Sequence, residues 1–236
     1  MTMQDFEDTQ KAAFDEFFKK SQKVKSYAAD YEFFKIIEMM GDISEKSILD
    51  LGCGDGRLSL RLARRAGKVV GYDISSEGVN KANVEAAEVG LSNFVAEVNS
   101  FENPDANKFD IVLCVNFLHH TPNQDVMLAN IYKSLKPEGK LIVIENNPLN
   151  PLFLIYFVVL GQLRIHLTKP YLRVNRFSFR KSLLKNNFNY LTFDRYAFFP
   201  TNLYNKFKFF ISINQFLNKI PIVNEFTAFY FWSARK

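Results

Sequence analysis

Three glycines in five residues carry the clearest chemical signal in the chain: Gly52, Gly54 and Gly56 in SILDLGCGDGRLS follow a short apolar run and precede residues of helical period. At the end of a strand, glycines permit positive φ and remove the Cβ that would hold a ligand off. The helix that follows offers its unpaired N–H groups and the positive end of its dipole. Such a loop suits a nucleotide-bearing ligand. The dinucleotide fingerprint G-x-G-x-x-G needs its third glycine at position 57, which is Arg57. No Gly-Lys-Ser/Thr follows, which excludes a Walker-type phosphate loop. Asp73 ends VVGYD about 20 residues further on, where a carboxylate can take both hydroxyls of a ribose. That feature is common to several nucleoside cofactors, so it points to an unphosphorylated ribose without choosing among them.

Other residues could do chemistry. His119 and His120 follow FDIVLCVNFL, where an imidazole could act as general base toward a hydroxyl or amine; either could equally cap a helix or pack. Of the two, His119 is the candidate base. Glu145, Asn146 and Asn147 close another apolar run and could touch a ligand or satisfy backbone at the start of NPLNP. His166 reads as structural or solvent-facing. The two cysteines, Cys53 and Cys114, lie in apolar runs that read as buried sheet, without metal-ligand spacing, which fits a reducing compartment.

The elements that must position these groups are legible from periodicity. Between Lys46 and Glu145, short β-rich runs (SILDL, KVVGYDI, NFVAEV, FDIVLCVNFL, KLIVIE) alternate with segments of helical period. This predicts βαβ units and a mostly parallel sheet covered on both faces. Lys136-Pro137-Glu138-Gly139 reads as a turn that ends a helix at Leu135 and feeds a strand from Lys140. Ser75 or Ser76 reads as the N-cap of the helix after Asp73, and Gly90 as its C-cap. Residues 5–40 read as one or two amphipathic helices. Beyond Glu145 the alternation stops: FSFRKSLLKNNF reads as a helix, YLTFDRYAFF as a strand, 201–224 as an aromatic-basic helical insert and FTAFYFWSARK as a final strand. The last two strands would close the sheet as an antiparallel pair. LFLIYFVVL is too short for a membrane span of about 20 residues and reads as a buried or lid-like helix.

In order and spacing, ILDLGCGDGRLS, VVGYDIS, FDIVLCVNFLHH and LKPEGKLIVIE resemble the successive motifs of the class I S-adenosylmethionine-dependent methyltransferases, over about residues 46–145. The resemblance implies a Rossmann-like, doubly wound α/β fold with a mostly parallel seven-stranded sheet, S-adenosyl-L-methionine as cofactor and S-adenosyl-L-homocysteine as product. It implies that backbone at Gly52, Cys53 and Gly54 lies against the methionine part, that Asp50 shapes the loop, that Asp73 binds the ribose and that Ile74 packs on adenine. Asn99 would stand where many members carry an adenine-reading Asp, with Ser100 and Phe101 beside it. Asn116 would lie near the methionine end. A sulfonium methyl is already activated, so such a protein has mainly to align a nucleophile and exclude water.

Composition narrows the partners. The net charge is +5, and from Gln162 onward Arg164, Lys169, Arg173, Arg176, Arg180, Lys181 and Lys185 are interleaved with many of the 25 phenylalanines. An anionic partner or membrane surface fits that region. Asn116-Phe117-Leu118-His119 stands where base-amine methyltransferases carry an Asp/Asn/Ser-Pro-Pro-aromatic motif, so nucleic acid is not the expected partner. The acidic, amphipathic N-terminal stretch has no apolar signal region, and the expected compartment is the cytoplasm. The expected organisation is one domain: an N-terminal helical cap (1–45), a cofactor-binding core (46–145) and an acceptor-recognition or lid region (146–225) interleaved with the last strands. The expected activity is methyl transfer to O, N or C of a small, hydrophobic or aromatic acceptor. Two rivals stay open at this point: an S-adenosylmethionine-binding regulator without catalysis, and an NAD-dependent oxidoreductase.

Overall fold

A computed structural model of the chain describes residues 3–20, 27–147, 149–152, 176–199, 207 and 209–236. Residues 153–175, with most of LFLIYFVVL and with Arg164, His166, Lys169 and Arg173, lie outside the described residues.

Seven strands form one sheet: β1 (Ser47–Leu51), β2 (Lys68–Asp73), β3 (Phe94–Val98), β4 (Phe109–Val115), β5 (Leu135–Asn146), β6 (Asn189–Tyr196) and β7 (Phe229–Arg235). Their order across the sheet is β3-β2-β1-β4-β5-β7-β6. The first five pair in parallel, and β7 lies antiparallel between β5 and β6. This is a Rossmann-like, doubly wound arrangement: the chain starts in the middle, winds outward to β3, and returns through β4 to the other side. The apolar runs read from sequence are strands buried on both faces. Ile111 and Leu113 of β4 join the core on one face, while Val112 and Cys114 join the core on the other.

Helices cover both faces. The first core is closed by α2 (Tyr27–Met40), α3 (Ser59–Ala63) and α4 (Ser76–Glu88), through Phe33, Ile36, Leu62, Ala82 and Ala86. The second is closed by α5 (Gln124–Ser134) and α6 (Arg176–Lys185), through Leu128, Ile131, Phe179 and Leu183. The N-terminal amphipathic stretch forms two helices, with α1 (Met3–Lys20) preceding α2. Between β6 and β7 come α7 (Phe209–Leu217) and the short α8 (Pro221–Asn224).

Local signals explain the helix ends. Ser75 is the N-cap of α4, its side chain accepting from the Gly78 N–H at 3.1 Å. Gly90, at φ +70°, ends the same helix: its N–H reaches Ala87 O and that of Leu91 reaches Ala86 O, the paired bonds of a Schellman motif. Two readings need correction. Helix α5 ends at Ser134, and Lys136–Gly139 forms an irregularity inside β5 in place of a simple turn; pairing with β4 jumps from Phe109–Leu135 to Ile111–Lys140, with Glu138 at φ +61°. Cys53 is buried, but in the turn after β1 and not within sheet.

Candidate functional site

Four strand ends meet at the carboxyl edge of the parallel sheet, on either side of the point where the winding reverses between β1 and β4. Open α/β sheets hold their ligands in that crevice. After β1 the chain turns at Gly52 (φ +75°), whose N–H and that of Cys53 both donate to Tyr72 O, at 2.8 and 3.2 Å. A Cβ on Gly52 would stand 2.7 Å from the Phe117 ring, and one on Gly54 2.6 Å from the Phe18 ring. The loop backbone is therefore packed directly against these two rings, which only glycine allows.

Two carboxylates fix this loop. The Asp73 side chain accepts from the N–H of Gly54 and from that of Ser75, both at 2.8 Å. Burial raises the Asp73 pKa, partly offset by those N–H groups. Asp50 lies beneath the loop, where the Ser59 hydroxyl donates to it at 2.5 Å. Burial pushes its pKa up to about 6, against the opposing effects of Ser59 and Arg57. Cys53 packs against Gly71 behind the loop, and burial raises its thiol far above the usual range.

Beyond β3, the Asn99 N–H donates to Asp73 O at 2.9 Å, and the Asn99 side-chain oxygen accepts from the Phe101 N–H at 2.7 Å. This local turn, with Phe101 at φ +63°, brings the Phe101 ring to 6.0 Å from that of Tyr72. Beyond β4, Asn116 takes φ +51°; its N–H donates to Ile144 O, and its side-chain oxygen accepts from the Asn146 amide, both at 2.8 Å.

These segments enclose a cavity of about 140 Å³. One wall gathers Gly52, Asp73, Ile74, Asn99, Ser100 and Phe101, with Asn116 at its edge. Phe117, His120, Thr121, Pro122 and Met127 line the cavity from the segment after β4 and from α5, and α1 covers it with Gln10, Phe14 and Phe18. Helix α1 is held there by Asp15, which accepts from the Ser75 hydroxyl at 2.5 Å and from the Glu77 N–H at 3.2 Å. Its carboxylate thereby sits at the N-terminus of α4, where the helix dipole favours negative charge.

Of the sequence-derived candidates, Asp50, Cys53 and Gly54 stand behind the wall and shape it. His119 is also withdrawn from the cavity. Its Nδ1 lies 2.5 Å from a carboxylate oxygen of Glu145, and both residues are fully buried; the other Glu145 oxygen accepts from the Leu118 N–H at 2.7 Å. Glu145 draws the first imidazole of the 3₁₀ turn Leu118–His120 inward, so the second, His120, faces the cavity. Asn147 and Asn150 serve backbone: their amides donate to Glu225 and Thr227 carbonyls and to Phe198 and Phe226 carbonyls, respectively. The N-terminal helical cap expected from sequence is the roof, although which of its residues reach the cavity was not read; Phe14 and Phe18, one helical turn apart, were the available signal.

Comparisons with known proteins bear on this geometry. Residues 42–170, more than half of the chain, match the family model of a methyltransferase domain. The ubiquinone biosynthesis O-methyltransferase of Aeromonas salmonicida is 34% identical over 119 residues, 48% of this chain and 49% of that protein. The Coxiella burnetii protein of the same name is 35% identical over 108 residues, 45% of this chain and 46% of its own length. The chain thus spans about half the length of the curated relatives it matches. Among solved structures, phosphoethanolamine N-methyltransferase 2 of Haemonchus contortus, in complex with S-adenosyl-L-methionine, superposes with a TM-score of 0.68 at 17% identity. The match covers 100% of this chain and 60% of that one. The 4+2-cyclase SpnF superposes with a TM-score of 0.65 at 20% identity, over 92% of this chain and 84% of its own. The two structural likenesses speak for the fold alone. With the family model spanning the glycine loop, the Asp73 strand and the strands behind the cavity, the chain belongs to the class I S-adenosylmethionine-dependent methyltransferases.

Proposed function

We propose that the protein binds S-adenosylmethionine along the Gly52–Asp73–Phe101 wall and transfers its methyl group to an O, N or C atom of a small apolar or aromatic acceptor held under α1. One observation carries the reading: a single cavity is lined both by Gly52, Asp73, Asn99 and Ser100 and by the apolar side chains of Phe14, Phe18, Phe117 and Met127. The residues fit the donor. Gly52, without a side chain, lines the cavity with its backbone, and the Asp73 carboxylate ends its strand beside Ile74 in the same lining. When bound, S-adenosylmethionine supplies a methyl group activated by its sulfonium.

The chain's own residues then have three tasks. Asp73 would hold the ribose, its orientation fixed by the Gly54 and Ser75 N–H groups. Phe14, Phe117 and Met127 would exclude water and hold the acceptor's apolar body. His120 would face the reacting atom. Burial, and the neighbouring His119, push its pKa down to about 3, so its ring is uncharged at neutral pH. A neutral imidazole can accept a hydrogen bond from a hydroxyl or amine acceptor without setting a positive charge beside a cationic donor. The acceptor class is supported by the aromatic lining and by the name of the relatives, which act in ubiquinone biosynthesis as O-methyltransferases.

Formation of S-adenosylhomocysteine from S-adenosylmethionine, measured by mass spectrometry with a panel of catechols, phenols, quinols and amines, tests the reading. Turnover with an aromatic hydroxyl or amine is expected. Donor binding by calorimetry without turnover across the panel and a metabolite extract would replace it with the non-catalytic regulator.

A further inference from the structure

Helix α7 is built inside out. In FFISINQFL the buried side chain is Asn214, 8% exposed, whose oxygen accepts from the Phe198 N–H at 3.0 Å. Phe210 packs on Phe199, with ring centres 4.7 Å apart, whereas Phe209, Ile211, Ile213 and Phe216 are exposed. Phe209, Ile213 and Phe216, four and three residues apart, share one face, with Phe209 56% and Phe216 65% exposed. The apolar surface continues beyond the helix with Ile222, 77% exposed, and with Phe226. Scattered exposed apolar residues are ordinary, but a contiguous stripe on a helix whose polar residue is turned inward marks an interaction surface.

Charge and position indicate the occupant. No acidic residue occurs between Asp194 and Glu225, whereas Lys206, Lys208 and Lys219 fall in that stretch, with Lys219 exposed. Exposed phenylalanine and isoleucine in a stretch of sequence whose charges are all basic are the composition of a segment that lies in the headgroup region of an anionic bilayer. Among the described residues no helix is long and apolar enough to cross a membrane. The stripe also lies at the carboxyl edge of the sheet, where the cavity is. Phe229, which opens β7 after α8, pairs with Asn146 at the end of β5, and the segment before it is tied down by Asn147 and Asn150.

We infer that α7 and the Ile222–Phe226 segment form a docking surface for an anionic lipid bilayer, seating the cavity edge of the sheet toward the membrane. This surface stands independently of donor binding.

Flotation of the full chain with vesicles of phosphatidylglycerol and phosphatidylcholine, compared with phosphatidylcholine alone, tests it. The wild-type chain should float with the anionic vesicles, less so at high salt. The variant Phe209→Ser/Phe216→Ser/Ile222→Ser, whose changed side chains are mostly in solvent, should bind roughly tenfold more weakly or worse while keeping its circular dichroism spectrum. Lys219→Glu, which leaves the apolar stripe intact, should weaken binding to anionic vesicles only. Equal flotation of wild type and the triple variant overturns the inference, as does absence of wild-type binding to either vesicle. So does a concentration-dependent dimer, seen by size exclusion with light scattering, that the triple variant dissolves while vesicle binding is absent; the surface would then serve a second copy of the chain.

Discussion

At the scale of single residues, two carboxylates a few ångströms either side of the same loop have opposite assignments. Asp73 lies on the cavity wall, and its ionised form is held by two N–H groups. Asp73→Ala should weaken S-adenosylmethionine binding by about 10- to 100-fold in calorimetry, the worth of a charge-assisted hydrogen-bond pair. Asp50 lies under the loop and has the Ser59 hydroxyl as its partner. Because the folded protein keeps the Asp50 proton up to about pH 6 whereas an unfolded chain releases it near 4, the folded state binds the extra proton in that window. Stability from this group is therefore present at low pH and declines as pH rises from about 4 to about 6. Asp50→Asn should flatten that decline, leaving the variant about 1–3 kcal/mol more stable at pH 7 in urea unfolding, relative to wild type normalised at pH 4. Asp73 was legible from its offset from the glycines, and Asp50 from the family resemblance of the glycine loop. The partition between His119 and His120 was not, since it depends on Glu145, 26 residues away in the chain.

Among the elements, α4 does most to join the two halves of the site. Its N-cap Ser75 accepts from Gly78 and also donates to Asp15, so one hydroxyl ends α4 and anchors the roof helix α1. Ser75→Ala should cost about 1–2 kcal/mol of stability. The same variant should raise amide exchange in α1 well above its level in the sheet, as read by hydrogen-exchange mass spectrometry. Equal protection of α1 in variant and wild type would show that the phenylalanine packing alone holds it. The extents of α4 and the parallel strands were readable because caps and apolar runs are local signals. The docking of α1 across the glycine loop was not, because it is fixed by contacts such as Phe18 on Gly54 and Gly78, between segments with no shared periodicity. The aromatic-basic character of 201–224, and a membrane surface as its partner, could be read from composition; which face of α7 turns outward could not, because apolar residues at helical spacing normally face a core and only the burial of Asn214 shows the helix reversed.

At the scale of the whole molecule, the sheet holds together because its last strand lies inside it. β7 pairs with both β5 and β6, and Trp232 at its middle packs on Phe179 of α6 and Phe193 of β6, with ring centres 5.7 and 4.4 Å away. Trp232→Ala should destabilise the fold by about 3–5 kcal/mol, measured by urea unfolding, with loss of the β6–β7 amide protection. The parallel core of the sheet was evident from the alternation of runs, and the antiparallel pair from two late β-rich segments. The position of β7 also sets an order of events during synthesis. In a nascent chain that has emerged only as far as Ala228, β5 would have an open edge and β6 would lack its neighbour. Until Phe229–Arg235 is in place between them, two strand edges would be open to pairing with other chains, the exposure that favours aggregation of incomplete chains.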